Sequence, residues 1–211
     1  MFEFIRIGGT VMVLIVICSI VALAITGERL WSLQRSKIVP RNLVAHVWHK
    51  VKNKQMDSSE LRTLRESSAL GRMLAAGLSN INSSREVMKD AIEDVGRHEA
   101  HKMERFLNTL GIIAVITPLL GLLGTVLGMM SVFAELGGGS ADPKKLAMGI
   151  NEALYTTAGG MMVAIPALMA YRFLRGKVEG LIVYMEQEAL KLIEVIISQR
   201  AKDKGSEGAE K

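Results

Sequence analysis

The chain has 211 residues, of which 49% are hydrophobic, 22% charged and only 5% aromatic. So few aromatics exclude the stacking platform of a single-stranded nucleic-acid binder, and a lone cysteine, Cys18, excludes an internal disulfide or a cysteine-built zinc site. The formal charge of +5, from 26 basic and 21 acidic residues, suits nucleic acid or a membrane surface, and its distribution decides between them.

The first element, within residues 1–27, holds an uncharged apolar run from Ile7 to Ile25. Its length is that of a helix crossing about 30 Å of hydrocarbon. Ala22-Leu23-Ala24 has the small-x-small pattern of a signal cleavage site, but Glu3 sits in the n-region and the run exceeds a usual h-region, so an uncleaved anchor is expected. Residues 28–107 form a helical region carrying 15 of the 26 basic residues. Within it Ser83-Ser84-Arg85-Glu86 reads as a capping box with Ser83 as cap. From there an apolar stripe leads into the next element, which predicts one continuous helix from about 84 to 134.

The second span, 108–134, has no charged residue. A short loop, 135–148, follows, and Asp142-Pro143 supplies an N-cap and a first-turn proline for the next helix. The third span, 149–174, contains the uncharged run Ala153 to Tyr171. An apolar stripe from Val178 to Ile196 extends it through 175–211, before a polar tail expected to fray. The fold class is therefore an all-α integral membrane protein with three transmembrane helices, the second and third extending far into the cytoplasm.

Arg29, Arg35, Lys37, Lys102, Arg105, Arg172, Arg175 and Lys177 flank the spans on one side, while the loop 135–148 holds only Lys144 and Lys145. The positive-inside rule puts the N-terminus outside, 28–107 and the C-terminus in the cytoplasm, and the loop outside. The basic excess is then an orientation signal in a lipid bilayer, and no nucleic-acid partner is expected.

The spans are rich in small and hydroxyl residues. Gly121, Gly124 and Gly128 lie in the second, with a GxxxG spacing that allows close helix approach; Gly159 and Gly160 lie in the third. Pro118 and Pro166 each remove a backbone donor and should kink or loosen their helices. A threonine in such a helix usually bonds the carbonyl one turn back. Yet Glu152 and Thr156 are four apart with Thr157 adjacent, making one face of the third span polar. Glu152 sits at the edge of that span, facing either protein interior or the interface, and no acid lies deeper. A proton path needs an ionisable station, so if protons cross, the titrating carboxylate belongs to another polypeptide.

Other motifs carry less. His98-Glu99-Ala100-His101 is one residue short of a zinc-protease motif, His46 and His49 lack completing ligands, and Gly121-Leu122-Leu123-Gly124-Thr125 has no Walker lysine. No metal, cofactor or enzymatic activity is expected.

Gly121-Leu-Leu-Gly-Thr-Val-Leu-Gly128, Gly149-Ile-Asn-Glu-Ala-Leu-Tyr-Thr-Thr-Ala-Gly-Gly160 and Ala164-Ile-Pro-Ala167 resemble the MotA/TolQ/ExbB proton-channel family. Three spans, the short length and the Glu28-Arg29-Leu30-Trp31 junction look like its ExbB-like members. The resemblance implies a homo-oligomer, a pentamer, in the bacterial inner membrane around a single-span ExbD- or TolR-like subunit whose membrane aspartate carries the proton. It implies output to a TonB-like protein for outer-membrane uptake; a TolQ-like role in envelope integrity, a motility stator and a non-conducting scaffold are the alternatives. The family's pore-lining threonines map onto Thr125 and Thr157, its exterior-side glutamate onto Glu152 and its prolines onto Pro118 and Pro166. Thr156 departs from the pattern and leaves the lining position ambiguous by one residue.

Overall fold

The computed structural model of the chain describes residues 9–53, 55–137 and 143–209. It is all-α, with no strand among the described residues. In chain order the helices are α1 (Gly9–Ser32), α2 (Arg35–Ile38), α3 (Leu43–Lys52), α4 (Ser58–Ser67), α5 (Ala69–Ser79), α6 (Arg85–Glu104), α7 (Leu107–Gly137) and α8 (Pro143–Ala209). Three of them, α1, α7 and α8, are long and apolar enough to cross a membrane.

Residues 1–30 and 106–175 make one compact unit, residues 31–105 and 176–211 another. In the first, α1, α7 and the first half of α8 bury Met12, Ile15, Leu110, Thr117, Thr156 and Leu174. Their outer faces are as apolar as their inner ones: Leu23, Phe133, Met162 and Met169 are all more than 60% exposed. Apolar surface of that extent is stable only against lipid or another apolar chain.

The second unit packs α5 and α6 around Leu70, Met73, Leu74, Met88 and Ile92, with Val178, Met185 and Ala189 of α8 equally buried. Asp57 caps α4 by accepting the Glu60 amide at 2.8 Å, and Ser68 caps α5 by accepting the Gly71 amide at 3.0 Å. That backbone hydrogen bond from Glu60, with a second bond from the Ser59 hydroxyl, holds the Asp57 carboxyl below its ordinary value. Glu99 is only 2% exposed and takes Nε and Nη2 of Arg72 at 2.8 and 2.7 Å, with Lys102 Nζ at 3.0 Å. Burial alone would push its carboxyl up; the hydrogen bonds from Arg72 and Lys102 outweigh burial and hold it below its ordinary value.

Glu99→Ala is therefore expected to destabilise this unit by about 1–3 kcal/mol, because Arg72 loses its bidentate partner while remaining partly exposed to water. A carboxyl held low when folded stabilises above its unfolded value and ceases to as pH falls through the folded value. The melting temperature of the wild type should thus drop on acidification below about pH 4 more steeply than that of the variant. Parallel slopes would remove Glu99 from the account.

Three expectations need correction. The helix expected over 84–134 is broken: Arg105 leaves helical geometry with ψ 136°, and Phe106 takes a left-handed φ of 64°. Neither Gly nor Pro marks the place, and a non-glycine residue there costs about 1–2 kcal/mol. The guanidinium of Arg29 lies 5.5 Å over the Phe106 ring, a contact that helps fix the bend. The cap of α6 is Ser84, whose hydroxyl accepts the Val87 amide, and not Ser83: of two adjacent hydroxyls, the one with extended backbone directly before the helix takes the role. α7 runs to Gly137, and α8 starts at Pro143, the first-turn proline the sequence predicts; the expected Asp142 cap lies outside the described residues. Finally, α8 continues to Ala209, past Gly205 and Gly208, where the tail was expected to fray.

Candidate functional site: a hydroxyl face on the paired spans

Small residues let α7 and α8 meet backbone to backbone. A Cβ on Gly160 would lie 2.7 Å from the Thr117 carbonyl oxygen and 3.2 Å from Gly121 Cα. One on Gly121 would lie 3.0 Å from Thr157 Cα, and one on Gly128 3.0 Å from Ala153 Cβ. A Cβ on Gly124 would collide with the Thr156 hydroxyl. The glycines are thus the absence of side chain that this pairing requires. Gly159 faces α1 instead, where a Cβ would meet Met12 at 2.9 Å. Pro118 and Pro166 both lie inside helices that continue through them.

The hydroxyls divide into two groups. Thr117 and Thr156, 0% and 1% exposed, are enclosed and bond carbonyls of their own helix: Thr117 donates to Ile113 at 2.5 Å and Thr156 to Ala153 at 2.9 Å. Thr156 fills the hollow over Gly124, so it is a packing group. Thr157 is different. Its hydroxyl crosses to α7 and donates to the Gly121 carbonyl at 3.0 Å. In helical geometry that carbonyl also faces the amide of residue 125, one turn on. Thr125 is only partly covered, its hydroxyl donating to Leu122 at 2.6 Å. Thr157 therefore reaches the Gly121 carbonyl across the helix pair, with Thr125 one turn on from Gly121, while Thr156 is enclosed against Gly124.

Glu152 goes elsewhere. A Cβ on Gly9 would lie 2.5 Å from Glu152 Oε1, so the carboxylate rests against the first residue of α1. Gly9 itself has φ 58°, a left-handed conformation that favours glycine. The structure thus separates Glu152 from Thr157 and makes it a contact between the third and first spans. Sequence reasoning missed Gly9; its only signal was a glycine at the mouth of a span. A second close approach it missed is Gly111, where a Cβ would come 3.2 Å from the Tyr171 ring.

No described side chain on this face can bind and release a proton near neutrality. What the arrangement offers is a pair of hydroxyls and a shared carbonyl, a polar strip that can hydrogen-bond an acid or a water brought by another chain.

Comparison with known proteins gives the family. The profile of the MotA/TolQ/ExbB proton channel family matches residues 65–187. A biopolymer transport protein, ExbB-like 1, of Synechocystis sp. is 39% identical over 176 residues, covering 82% of this chain and 69% of the relative. Biopolymer transport protein exbB1 of Vibrio cholerae is 33% identical over 165 residues, covering 75% and 72%. The Tol-Pal system protein TolQ of Haemophilus influenzae is 40% identical over a shorter 84 residues, 39% of this chain and 37% of that one.

Proposed function

We propose, since this chain belongs to the MotA/TolQ/ExbB proton channel family, that it is the multi-span subunit of a bacterial inner-membrane complex powered by proton motive force. Its N-terminus lies outside and its C-terminus in the cytoplasm, a placement supported by the basic residues flanking the spans. The observation that carries the reading is the Thr157 hydroxyl bonded across to the Gly121 carbonyl, with Thr125 one turn away. It makes a polar strip in spans whose charge-free runs contain no acid of their own. A single-span, ExbD-like partner brings the titrating aspartate to that strip, and copies of this chain, five in the reading, surround it. Proton passage past Thr125 and Thr157 drives motion that a TonB-like protein delivers to outer-membrane transporters.

A TolQ-like role in envelope integrity is the second reading, favoured by the match to the Haemophilus influenzae protein. Deletion of the gene decides between them. Loss of growth on iron chelates with intact detergent resistance is the expected result. Detergent sensitivity with normal iron uptake would assign the chain to the second reading, and neither defect would refute both.

A further inference from the structure

A cleft of about 780 Å3 opens in the unit made by residues 31–105 and 176–211, between residues 35–48 and the Tyr184–Val195 stretch of α8. Nothing in the proposed proton path uses it. Its volume is that of a small-molecule site. Its lining is split by chemistry. Val39, Trp48, Leu70 and Leu192 offer an apolar floor, while Arg35, Arg41 and Lys191 stand at the walls with a single carboxylate, Glu188.

That carboxylate is already taken. Glu188 accepts Lys191 Nζ at 2.8 Å, and the pair neutralises itself. The hydrogen bond to Glu188 and its charge push the ammonium of Lys191 above its ordinary value, so Lys191 keeps its charge through the physiological range. Arg35 and Arg41 have no carboxylate partner among the described residues. The guanidinium of Arg35 is nonetheless held, lying 4.3 Å over the Tyr184 ring. Stacking of this kind fixes the plane of the group and leaves its edge donors free for an oxyanion. The wall beside Arg41 is the first turn of α3, where Asn42 at φ 66° makes no side-chain cap. The cleft thus carries two uncompensated positive charges above an apolar floor.

We propose that this cleft binds a small soluble organic anion, a phosphate or similar oxyanion joined to an apolar body, with Arg35 and Arg41 on the oxyanion and Trp48 on the body. A guanidinium suits the oxyanion because its donors form a fork that matches two of its oxygens. The inference does not depend on the proton-channel reading, since none of these residues belongs to the hydroxyl face.

Trp48 supplies the readout. The chain has two tryptophans, and Trp31, which lies under Lys37, is not part of the cleft. The full-length Trp31→Phe protein in nanodiscs of zwitterionic lipid would be titrated with phenyl phosphate while Trp48 emission is followed. Saturable change is expected, with phenol and inorganic phosphate each weaker by about tenfold or more, since each carries half of the recognised chemistry. Arg41→Gln and Arg35→Gln should each weaken binding by about tenfold. Arg41 is exposed and unpaired, so its replacement leaves folding untouched and keeps the test valid if Arg35→Gln misfolds. No saturation, or equal response in the Arg35→Gln/Arg41→Gln double variant, would overturn the proposal. So would a Trp48 signal already shifted by anionic-lipid discs without added ligand, which assigns the cleft to headgroups. Trp48 shielded from acrylamide in those discs without ligand would assign the cleft to a neighbouring copy and overturn the proposal equally.

Discussion

Thr157→Val is expected to lower energised uptake by roughly 10- to 100-fold while leaving the protein assembled. The substitution preserves shape and removes only the hydroxyl that crosses from α8 to the Gly121 carbonyl on α7. A hydrogen-bonding group that serves an ionised or protonating partner is worth about 1.5–3 kcal/mol, and each 1.4 kcal/mol is a factor of ten. The structural loss is smaller, about 1 kcal/mol, because that carbonyl keeps its own helix's amide. Thr157→Ser restores the hydroxyl and should restore most uptake. Thr125→Val should behave like Thr157→Val, since its side chain is the neighbouring hydroxyl on the same strip. Thr156→Val, by contrast, should alter stability more than transport, as its hydroxyl is enclosed over Gly124. Full uptake in both Thr125→Val and Thr157→Val would dispose of the lining role, leaving an anchored helical scaffold.

The second large effect is structural. Gly160→Val is expected to prevent α7 and α8 from pairing, because its Cβ would sit 2.7 Å from a backbone oxygen and 3.2 to 3.3 Å from the backbone of Gly121. Backbone atoms in a packed helix have nowhere to retreat. Overpacking of this kind costs about 1–3 kcal/mol for a well-placed methylene and more when both helices must separate. A fall of several degrees in melting temperature, or loss of assembled protein from the membrane, should follow. Gly176→Ala is the control: a Cβ there meets nothing within 4 Å. It should be neutral or stabilising by up to about 1 kcal/mol, through better helix propensity. Equal damage from both substitutions would show that loss of glycine as such, and not the close approach, is responsible.

The spans were readable because their signal is local and strong. Charge-free apolar runs such as Asn108–Ala134 need no partner to be recognised. The spacing of Gly121, Gly124 and Gly128 likewise announced a close helix contact, and the structure supplies its other half in Ala153, Thr156 and Gly160. What sequence could not distinguish was Thr156 from Thr157. Adjacent helical residues differ by about 100° in direction, and only the partner helix says which direction is covered. The break at Arg105–Phe106 was invisible for a related reason: a left-handed phenylalanine is imposed by tertiary contact, against local preference. The meeting of Glu152 with Gly9, and that of Arg72 with Glu99 across 27 residues, join positions that no period links.

Five hydroxyl protons of the paired spans are spoken for. Thr117, Thr125, Thr156, Thr157 and Ser131 each donate to a carbonyl of this same chain. What they still hold out to a visitor is lone pairs. Such a wall accepts at once from a group that arrives carrying a proton, and must release one of its own bonds to donate to a group that arrives without it. Selectivity for the loaded form over the spent one would then be built into the resting protein, before any part of it moves.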